Sequence, residues 1–275
     1  MKLLLSTTIS NIIPTRTSLF ENLLLRRLIL TKEDYRRGGI LPMVKKVGLD
    51  GVELIIPGQV DKKTIKKIKE KLKENELPVL SVHQPVSLIN RIDWKAITYT
   101  LNTAREFSAD LIVIHIAALG KKIYDSSFLK RLKRAGRDYG IQIGLENMPR
   151  CYGRPKEYYE AKIFSRIARQ FDFKIVFDTC HLGSSSQDLV NFFQENKDRI
   201  INIHLSDYFN FLPLIQAIPK IPFWGHLPLE SGNLPIKELL QTLKKENYRG
   251  LVTLEILCNS QRLQDSANLV RALTR

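Results

Sequence analysis

The chain has 275 residues, of which 44% are hydrophobic and 26% charged, a composition typical of a globular domain with a sizeable core. No apolar run approaches the ~18 residues that a membrane-spanning helix needs, and the start MKLLLSTTIS lacks a signal-like apolar stretch, so we expect a soluble, cytoplasmic protein with no membrane partner. The formal charge of +15 favours polyanions electrostatically, although the lysines of segment 61–75 are equally typical of a solvated helix face.

Apolar, β-branched runs alternate with amphipathic segments along the whole chain. The runs predict eight strands, at 2–9, 51–56, 78–83, 110–116, 141–146, 173–178, 199–205 and 250–257. The segments between and after them predict helices, at about 39–47, 62–75, 93–108, 124–139, 157–171, 186–196, 235–246 and 262–273.

Strict alternation of strand and helix implies parallel strands, because parallel neighbours need a crossover connection. Eight such units close into a barrel. We therefore predict an α/β fold, a (β/α)8 TIM barrel, formed by residues 1–275 as a single domain. A doubly wound open sheet is the alternative, but the glycine-rich phosphate loop that usually follows its first strand is absent from the sequence.

Metal-capable side chains occupy matching positions in successive units, at or just beyond the predicted strand ends. They comprise all five histidines and three carboxylates, namely His83, His115, Glu146, Asp178, His181, His204, His226 and Glu255. Any one of these residues alone is more often a polar side chain hydrogen-bonded within the protein, or a helix cap, than a metal ligand. Because the carboxyl ends of all barrel strands meet at one face, we expect the whole set to converge there, where unpaired carboxylates would cost several kcal/mol without a cation.

The chemistry of this set favours particular metals. Three scattered cysteines argue against a cysteine-rich zinc site or a disulfide framework. Imidazole with carboxylate suits Zn²⁺, Mn²⁺ or Fe²⁺ better than Mg²⁺, and eight groups exceed what one ion needs. We predict two or three ions, Zn²⁺ first and Mn²⁺ second, with Glu146 as a bridge. Glu53, on the second predicted strand, either joins the site or pairs with a lysine, and the sequence leaves both open.

The series SVHQP, VIHIAA, GLENMP, FDTCHLG, NIHLSD, HLPLESGN and VTLEI resembles the xylose isomerase-like TIM-barrel superfamily. Within it, the chain is most similar to apurinic/apyrimidinic endonuclease family 2, the endonuclease IV-like proteins. The likeness extends from about the third to the eighth strand, roughly two thirds of the chain. It implies one zinc ion bound by His83, His115 and Glu146.

The same resemblance implies two more ions. The ligands implied for the second are Glu146, Asp178, His204 and Glu255. The third would be bound by His181 and His226, but Trp224 stands where the family has an aspartate, so this third site is short of one ligand. Sugar isomerases and epimerases of the superfamily typically keep a one-ion core like the second set, so that set does not discriminate between activities. The extra pair, His83 and His115, does.

Two enzymatic hypotheses follow. The first is metal-dependent phosphodiester hydrolysis of nucleic acid, abasic-site DNA above all, with Glu146 and Glu255 as catalytic residues. Basic and aromatic residues on the catalytic-face loops would bind the phosphate backbone: Arg26, Arg27, Arg36, Arg37, Arg150, Tyr152 and Arg154.

The alternative is isomerisation or epimerisation of a sugar or sugar phosphate, with Glu146 and Glu255 as the proton-transfer pair. A third, non-enzymatic hypothesis is a degenerate barrel that binds nucleic acid or metal without turnover.

Overall fold

The computed structural model describes residues 1–8, 12, 39–56, 58, 60–85, 93–150, 155–209, 225–256 and 260–274. Eight parallel strands, each hydrogen-bonded to the next in chain order, close into a barrel when the eighth pairs with the first. The strands are β1 (Lys2–Thr8), β2 (Gly51–Ile55), β3 (Val79–His83), β4 (Leu111–His115), β5 (Gln142–Glu146), β6 (Lys174–Asp178), β7 (Ile200–Leu205) and β8 (Leu251–Leu254). The predicted (β/α)8 TIM barrel is confirmed.

Helices occupy the predicted segments. They are α1 (Leu41–Val47), α2 (Lys62–Glu74), α3 (Trp94–Glu106), α4 (Ser126–Tyr139), α5 (Ala161–Gln170), α6 (Thr179–Gly183), α7 (Leu189–Asn196), α8 (Ile236–Lys245) and α9 (Ser260–Thr274). Aspartates begin several of them: the side chain of Asp61 accepts a hydrogen bond from the Thr64 amide, and that of Asp93 from the Ala96 amide. Among the described residues, no helix has both the length and the apolar character needed to span a bilayer.

Two short helical segments were not predicted, α6 and the 3₁₀ helix Ile116–Tyr124. The predicted helix at about 157–171 is divided into the 3₁₀ helix Lys156–Tyr158 and α5. α6 follows β6 without a loop because the Asp178 carboxylate accepts a 2.6 Å hydrogen bond from the His181 amide and so caps the turn. A five-residue helix is shorter than the periodicity by which an amphipathic helix is recognised in sequence.

The barrel interior contains its own small apolar cluster below the mouth. Leu111, Val113 and Val176 are buried together, apart from the main core between strands and helices. Side chains alternate between the two faces of a strand, so Leu111 and Val113 lie on the same face of β4 as His115. On the side of β4 and β6 the polar cluster at the mouth therefore rests on an apolar floor.

Gly144 is required in that floor. A β-carbon at Gly144 would lie 2.5 Å from Cγ2 of Val176 and 3.3 Å from Cδ1 of Leu111. We therefore expect Gly144→Ala to lower the free energy of unfolding by about 1–3 kcal/mol through overpacking, measured by urea denaturation. Gly58→Ala is the matched control, because a β-carbon there meets nothing within 4 Å; equal stability losses in both variants would contradict this explanation.

Strand register brings the first ligand pairs together. In the β4–β5 pair His115 lies opposite Glu146, and in the β6–β7 pair Asp178 lies opposite His204. These positions are the carboxyl-terminal ends of their strands or next to them. Parallel pairing alone thus places an imidazole beside a carboxylate at two points of the mouth.

Candidate metal centre

All eight predicted ligands converge at the mouth of the barrel, in three overlapping groups. The groups are His83–His115–Glu146; Glu146–Asp178–His204–Glu255; and Asp178–His181–His226. Within each group the candidate ligand atoms all lie within 4.8 Å of one another. The structure therefore brings together every metal-ligand candidate that the sequence analysis named.

The first group is compact enough for a single ion. The Nε2 atoms of His83 and His115 are 2.9 Å apart, and each lies 3.2 Å from Oε2 of Glu146. Two ligand atoms that bind a tetrahedral Zn²⁺ at about 2.1 Å lie roughly 3.4 Å apart, so these spacings are close to those of a filled site. All three side chains are buried.

The second group draws one ligand from each of the strands β5, β6 and β7 and one from just beyond β8. Nδ1 of His204 lies 2.7 Å from Oε2 of Glu255 and 3.5 Å from Oε1 of Glu146. Glu255 is the most open member, with 21% of its side chain exposed, whereas Glu146, Asp178 and His204 are fully buried. This group shares Glu146 with the first and Asp178 with the third.

The third group contains a carboxylate that the sequence analysis had not assigned to it. Nδ1 of His181 lies 3.7 Å from Oδ1 of Asp178, and the rings of His181 and His226 are 5.3 Å apart. Asp178 thus stands beside the two histidines for which the resemblance implied a missing aspartate. Trp224, predicted to replace that aspartate, lies outside the described residues.

Backbone carbonyls orient two of the imidazoles. Nδ1 of His83 lies 2.7 Å from the carbonyl oxygen of Gln84, and Nδ1 of His181 lies 2.9 Å from that of Asn147. A nitrogen that donates to a carbonyl carries a proton, so in the neutral ring, the form that binds a metal, the opposite nitrogen has the lone pair. In both rings that opposite nitrogen is Nε2, and in His83 it faces the first group.

The polar atoms of the cluster fit a bound divalent cation. Five buried side-chain atoms in it make no hydrogen bond: Nδ1 of His115, Oε1 of Glu146, Oδ2 of Asp178, Nδ1 of His204 and Oε2 of Glu255. Nδ1 of His204 and Oε2 of Glu255 are close but lack hydrogen-bond geometry. Unsatisfied buried polar atoms are costly, and a cation coordinated by imidazole and carboxylate would satisfy the four atoms of Glu146, Asp178, His204 and Glu255. His115 presents its other nitrogen, Nε2, to the first group.

The imidazoles respond unequally to burial and charge. Burial by itself lowers the pKa of each ring, because the cationic form loses its hydration. At His115 the effect of burial is larger than that of the nearby Glu146 charge, and the pKa is lowered. At His181 burial is the largest single effect, but the negative charges of Asp178, Glu146 and Glu255 and a hydrogen bond to Glu146 together outweigh it and raise the pKa to about 9. At His204 the charges of Glu53, Glu146 and Glu255 together outweigh burial and raise the pKa well above its ordinary value.

The carboxyl groups show the opposite balance. Burial by itself raises the pKa of each, but at Glu146 the charges of His115 and His204, with hydrogen bonds from His115 and His181, together outweigh burial and hold the pKa well below its ordinary value. At Asp178 burial wins and the pKa is raised. Without metal, protons on the imidazoles balance the carboxylates, and a bound cation would take over that role.

The model of the xylose isomerase-like TIM barrel family matches residues 41–274. The chain belongs to the xylose isomerase-like TIM-barrel family. An uncharacterized protein of Methanocaldococcus jannaschii is 26% identical to this barrel over 235 residues, which cover 75% of this chain and 74% of the relative.

Solved structures similar to this xylose isomerase-like barrel are mostly sugar epimerases and related enzymes. A D-tagatose 3-epimerase-like protein has a TM-score of 0.66 and 19% identity, covering 99% of this chain and 97% of its own. The 3-keto-D-glucoside 4-epimerase of E. coli has a TM-score of 0.64 and 18% identity, covering 99% of both chains. A Mycobacterium smegmatis barrel in complex with magnesium has a TM-score of 0.60 and 13% identity, covering 86% of this chain and 88% of its own. At these identities the likeness shows the shared fold.

Two buried residues near the centre were missed or left open by sequence reasoning. Asn147 donates from Nδ2 to the Asp178 carbonyl (3.0 Å), and its Oδ1 accepts from the Asp178 amide (2.8 Å), so it joins the ends of β5 and β6. The sequence signal that could have identified Asn147 is its position directly after Glu146. Glu53 is fully buried below the mouth, where its carboxylate lies 3.1 Å from Nε2 of His204.

Most of the predicted nucleic-acid contacts lie outside the described residues. These are Arg26, Arg27, Arg36, Arg37, Tyr152 and Arg154. Arg150 is described: its side chain is exposed, and its backbone amide donates to Oγ of Ser184 at 3.2 Å. Binding of DNA through these residues therefore stays a prediction.

Metal should stabilise this xylose isomerase-like barrel, because the cation would bind the folded cluster and not the unfolded chain. At a free Zn²⁺ concentration about 100 times the dissociation constant, we expect the free energy of unfolding to rise by roughly 2.7 kcal/mol. Thermal unfolding of EDTA-treated and Zn²⁺-loaded protein measures this. A midpoint that does not change with Zn²⁺ would contradict a metal site in the folded protein.

Proposed function

We propose that this barrel is a metal-dependent isomerase or epimerase that acts on a sugar or sugar phosphate. The observation that carries this proposal is the four-residue group at the mouth of β5 to β8, with all its ligand atoms within 4.8 Å. The resemblance implied a one-ion core of this composition for sugar isomerases and epimerases. The sequence analysis put phosphodiester hydrolysis first, but the similar structures are mostly sugar epimerases and so favour its alternative.

The roles of the residues follow from their positions. The group would hold a divalent cation, which, when bound, polarises a substrate oxygen and so acidifies the neighbouring C–H bond. One of the two glutamates, Glu146 and Glu255, removes that proton, and the other returns a proton to the opposite face or to the adjacent carbon. One C–H bond breaks and another forms, so the reaction needs no oxidant or reductant. Because Glu255 is the partly exposed member, it faces the side from which substrate enters.

Phosphodiester hydrolysis is the second candidate, and a specific observation favours it. His83, His115 and Glu146 form a compact group of their own, for which a one-ion isomerase has less use. Two cations sharing Glu146 would be suited to neutralising a phosphodiester and its leaving oxygen.

Metal stoichiometry and two activity assays separate the candidates. Zn²⁺- or Mn²⁺-loaded protein is desalted and its bound metal counted by mass spectrometry; one tightly bound ion supports the isomerase, and two or more support the hydrolase. A panel of ketoses and their phosphates is incubated in D₂O, where an isomerase or epimerase would incorporate deuterium at carbon, detected by NMR. Cleavage of an abasic-site duplex is assayed in parallel.

The variant His83→Ala further distinguishes an isomerase from a hydrolase. An isomerase should keep its turnover within about tenfold, because this residue lies outside the four-residue group, whereas a hydrolase that needs both ions should lose roughly 10³-fold. Duplex cleavage that depends on His83, together with no deuterium incorporation into any sugar, would overturn the proposal.

A further inference from the structure

A buried polar network lies directly beneath the metal cluster and centres on Glu53. This side chain is fully buried. Oε2 of Glu53 accepts from Oγ of Ser81 at 2.7 Å and from Nδ2 of Asn202 at 3.2 Å. Oε1 accepts from Oγ of Ser6 at 3.4 Å and lies 3.1 Å from Nε2 of His204, and the same Nε2 lies within hydrogen-bond distance of Oε2, at 3.2 Å. The carboxylate is therefore surrounded by hydrogen-bond donors.

The orientation of Asn202 is itself determined by a neighbour. Oγ1 of Thr253 donates to Oδ1 of Asn202 at 2.9 Å, which leaves Nδ2 of Asn202 facing Glu53. An amide assigned in this way presents an N–H, not a carbonyl, to the carboxylate. A carboxylate oxygen only accepts hydrogen bonds, so in its contact with Glu53 the imidazole of His204 must also donate an N–H.

We infer that Glu53 is a positioning residue that holds His204 with its proton on Nε2, so that the lone pair of Nδ1 points to the bound cation. Nδ1 is the ring nitrogen that faces the candidate ligands, 2.7 Å from Oε2 of Glu255 and 3.5 Å from Oε1 of Glu146. A carboxylate that accepts from the second nitrogen of a metal-binding imidazole fixes both the tautomer and the ring orientation. The inference rests on the proposed metal site but not on the sugar reaction.

Glu53→Gln tests this with almost no change in volume. The glutamine carbonyl would take the position of Oε2, because Ser81 and Asn202 both donate there. Its NH₂ group would then occupy the position of Oε1, 3.1 Å from Nε2 of His204, while its carbonyl keeps the 3.2 Å contact of Oε2 with the same nitrogen. The carboxylate offers Nε2 two acceptors, whereas the amide offers one acceptor and one donor and carries no charge, so the preference for a proton on Nε2 is weakened. A proton on Nδ1 instead would prevent that nitrogen from binding a metal.

The direct measurement is the tautomer of His204 in Zn²⁺-loaded protein. With ¹⁵N-labelled histidine the chain has only five imidazoles, and long-range ¹H–¹⁵N spectra distinguish the two ring nitrogens of each. The His204 signals are those that disappear in His204→Asn. In the wild type we expect a proton on Nε2 and a metal-shifted Nδ1. A proton on Nδ1 of His204 in the Zn²⁺-loaded wild type would overturn the inference, whatever the variants do.

The second measurement is Zn²⁺ affinity, by competition with a chromophoric chelator. Glu53→Gln should raise the dissociation constant by about 10–100-fold. Ser81→Ala is the matched control: it removes one donor from the same carboxylate but leaves the link to His204, so the dissociation constant should stay within about threefold.

Two further results would overturn the inference: wild-type affinity and tautomer in Glu53→Gln, or an equal loss of affinity in Ser81→Ala. Equal losses would mean that the network acts only through general stability, which thermal unfolding of the metal-free variants measures separately. These readouts do not depend on turnover. A wild-type protein that shows the expected tautomer but converts no sugar would refute the proposed function and leave this inference standing.

Discussion

Glu146→Gln is expected to abolish turnover, with a loss of about 10³-fold or more, and to reduce the number of tightly bound ions. Glu146 belongs to two of the three ligand groups, and its carboxylate lies within 3.5 Å of four imidazoles, those of His83, His115, His181 and His204. A neutral amide of the same shape removes the charge that a cation and these rings share. No other candidate ligand contacts as many imidazoles in the described structure.

The measurement is turnover together with metal content after loading and desalting. Glu74→Gln, on the exposed side of α2, is the matched control and should behave as wild type. Circular dichroism should show an unchanged fold, because the variant keeps the volume of the side chain. Turnover within tenfold of wild type in Glu146→Gln would rule out both the shared-ligand role and the proton-transfer role.

Glu255→Gln is expected to lower turnover by about 10²–10⁴-fold at saturating metal, because it removes one member of the proton-transfer pair. Glu255 is the partly exposed member of the four-residue group, so its loss should affect the reacting carbon more than the packing of the mouth. The remaining three ligands, Glu146, Asp178 and His204, are buried and in place.

Two readouts separate chemistry from metal binding in Glu255→Gln. Turnover is measured across a Zn²⁺ or Mn²⁺ titration, and deuterium incorporation from D₂O into the sugar is followed by NMR. We expect both to stay low at every metal concentration. Full recovery of turnover at high metal would show that Glu255 only binds the ion and would remove it from the proton-transfer pair.

Much of the arrangement follows from patterns in the amino-acid sequence. Alternating runs predict eight strands and their helices because each segment must bury one face, a local requirement that leaves a period in the sequence. Once the barrel is predicted, the convergence of His83, His115 and Glu255 follows, because carboxyl ends of parallel strands share one face. The short helix α6 escaped prediction, since it depends on a single side-chain hydrogen bond to Asp178 and not on a repeated pattern.

The sequence by itself determined the fold class, the face that carries the site and the identity of the candidate ligands. Only the tertiary structure decided which atoms meet: that Asp178 stands beside His181 and His226, and that Glu53 faces His204. Glu53 and His204 are 151 positions apart and approach each other across the closed barrel. Such contacts depend on register and barrel closure, which sum over all eight strands, so no local pattern in the chain can encode them.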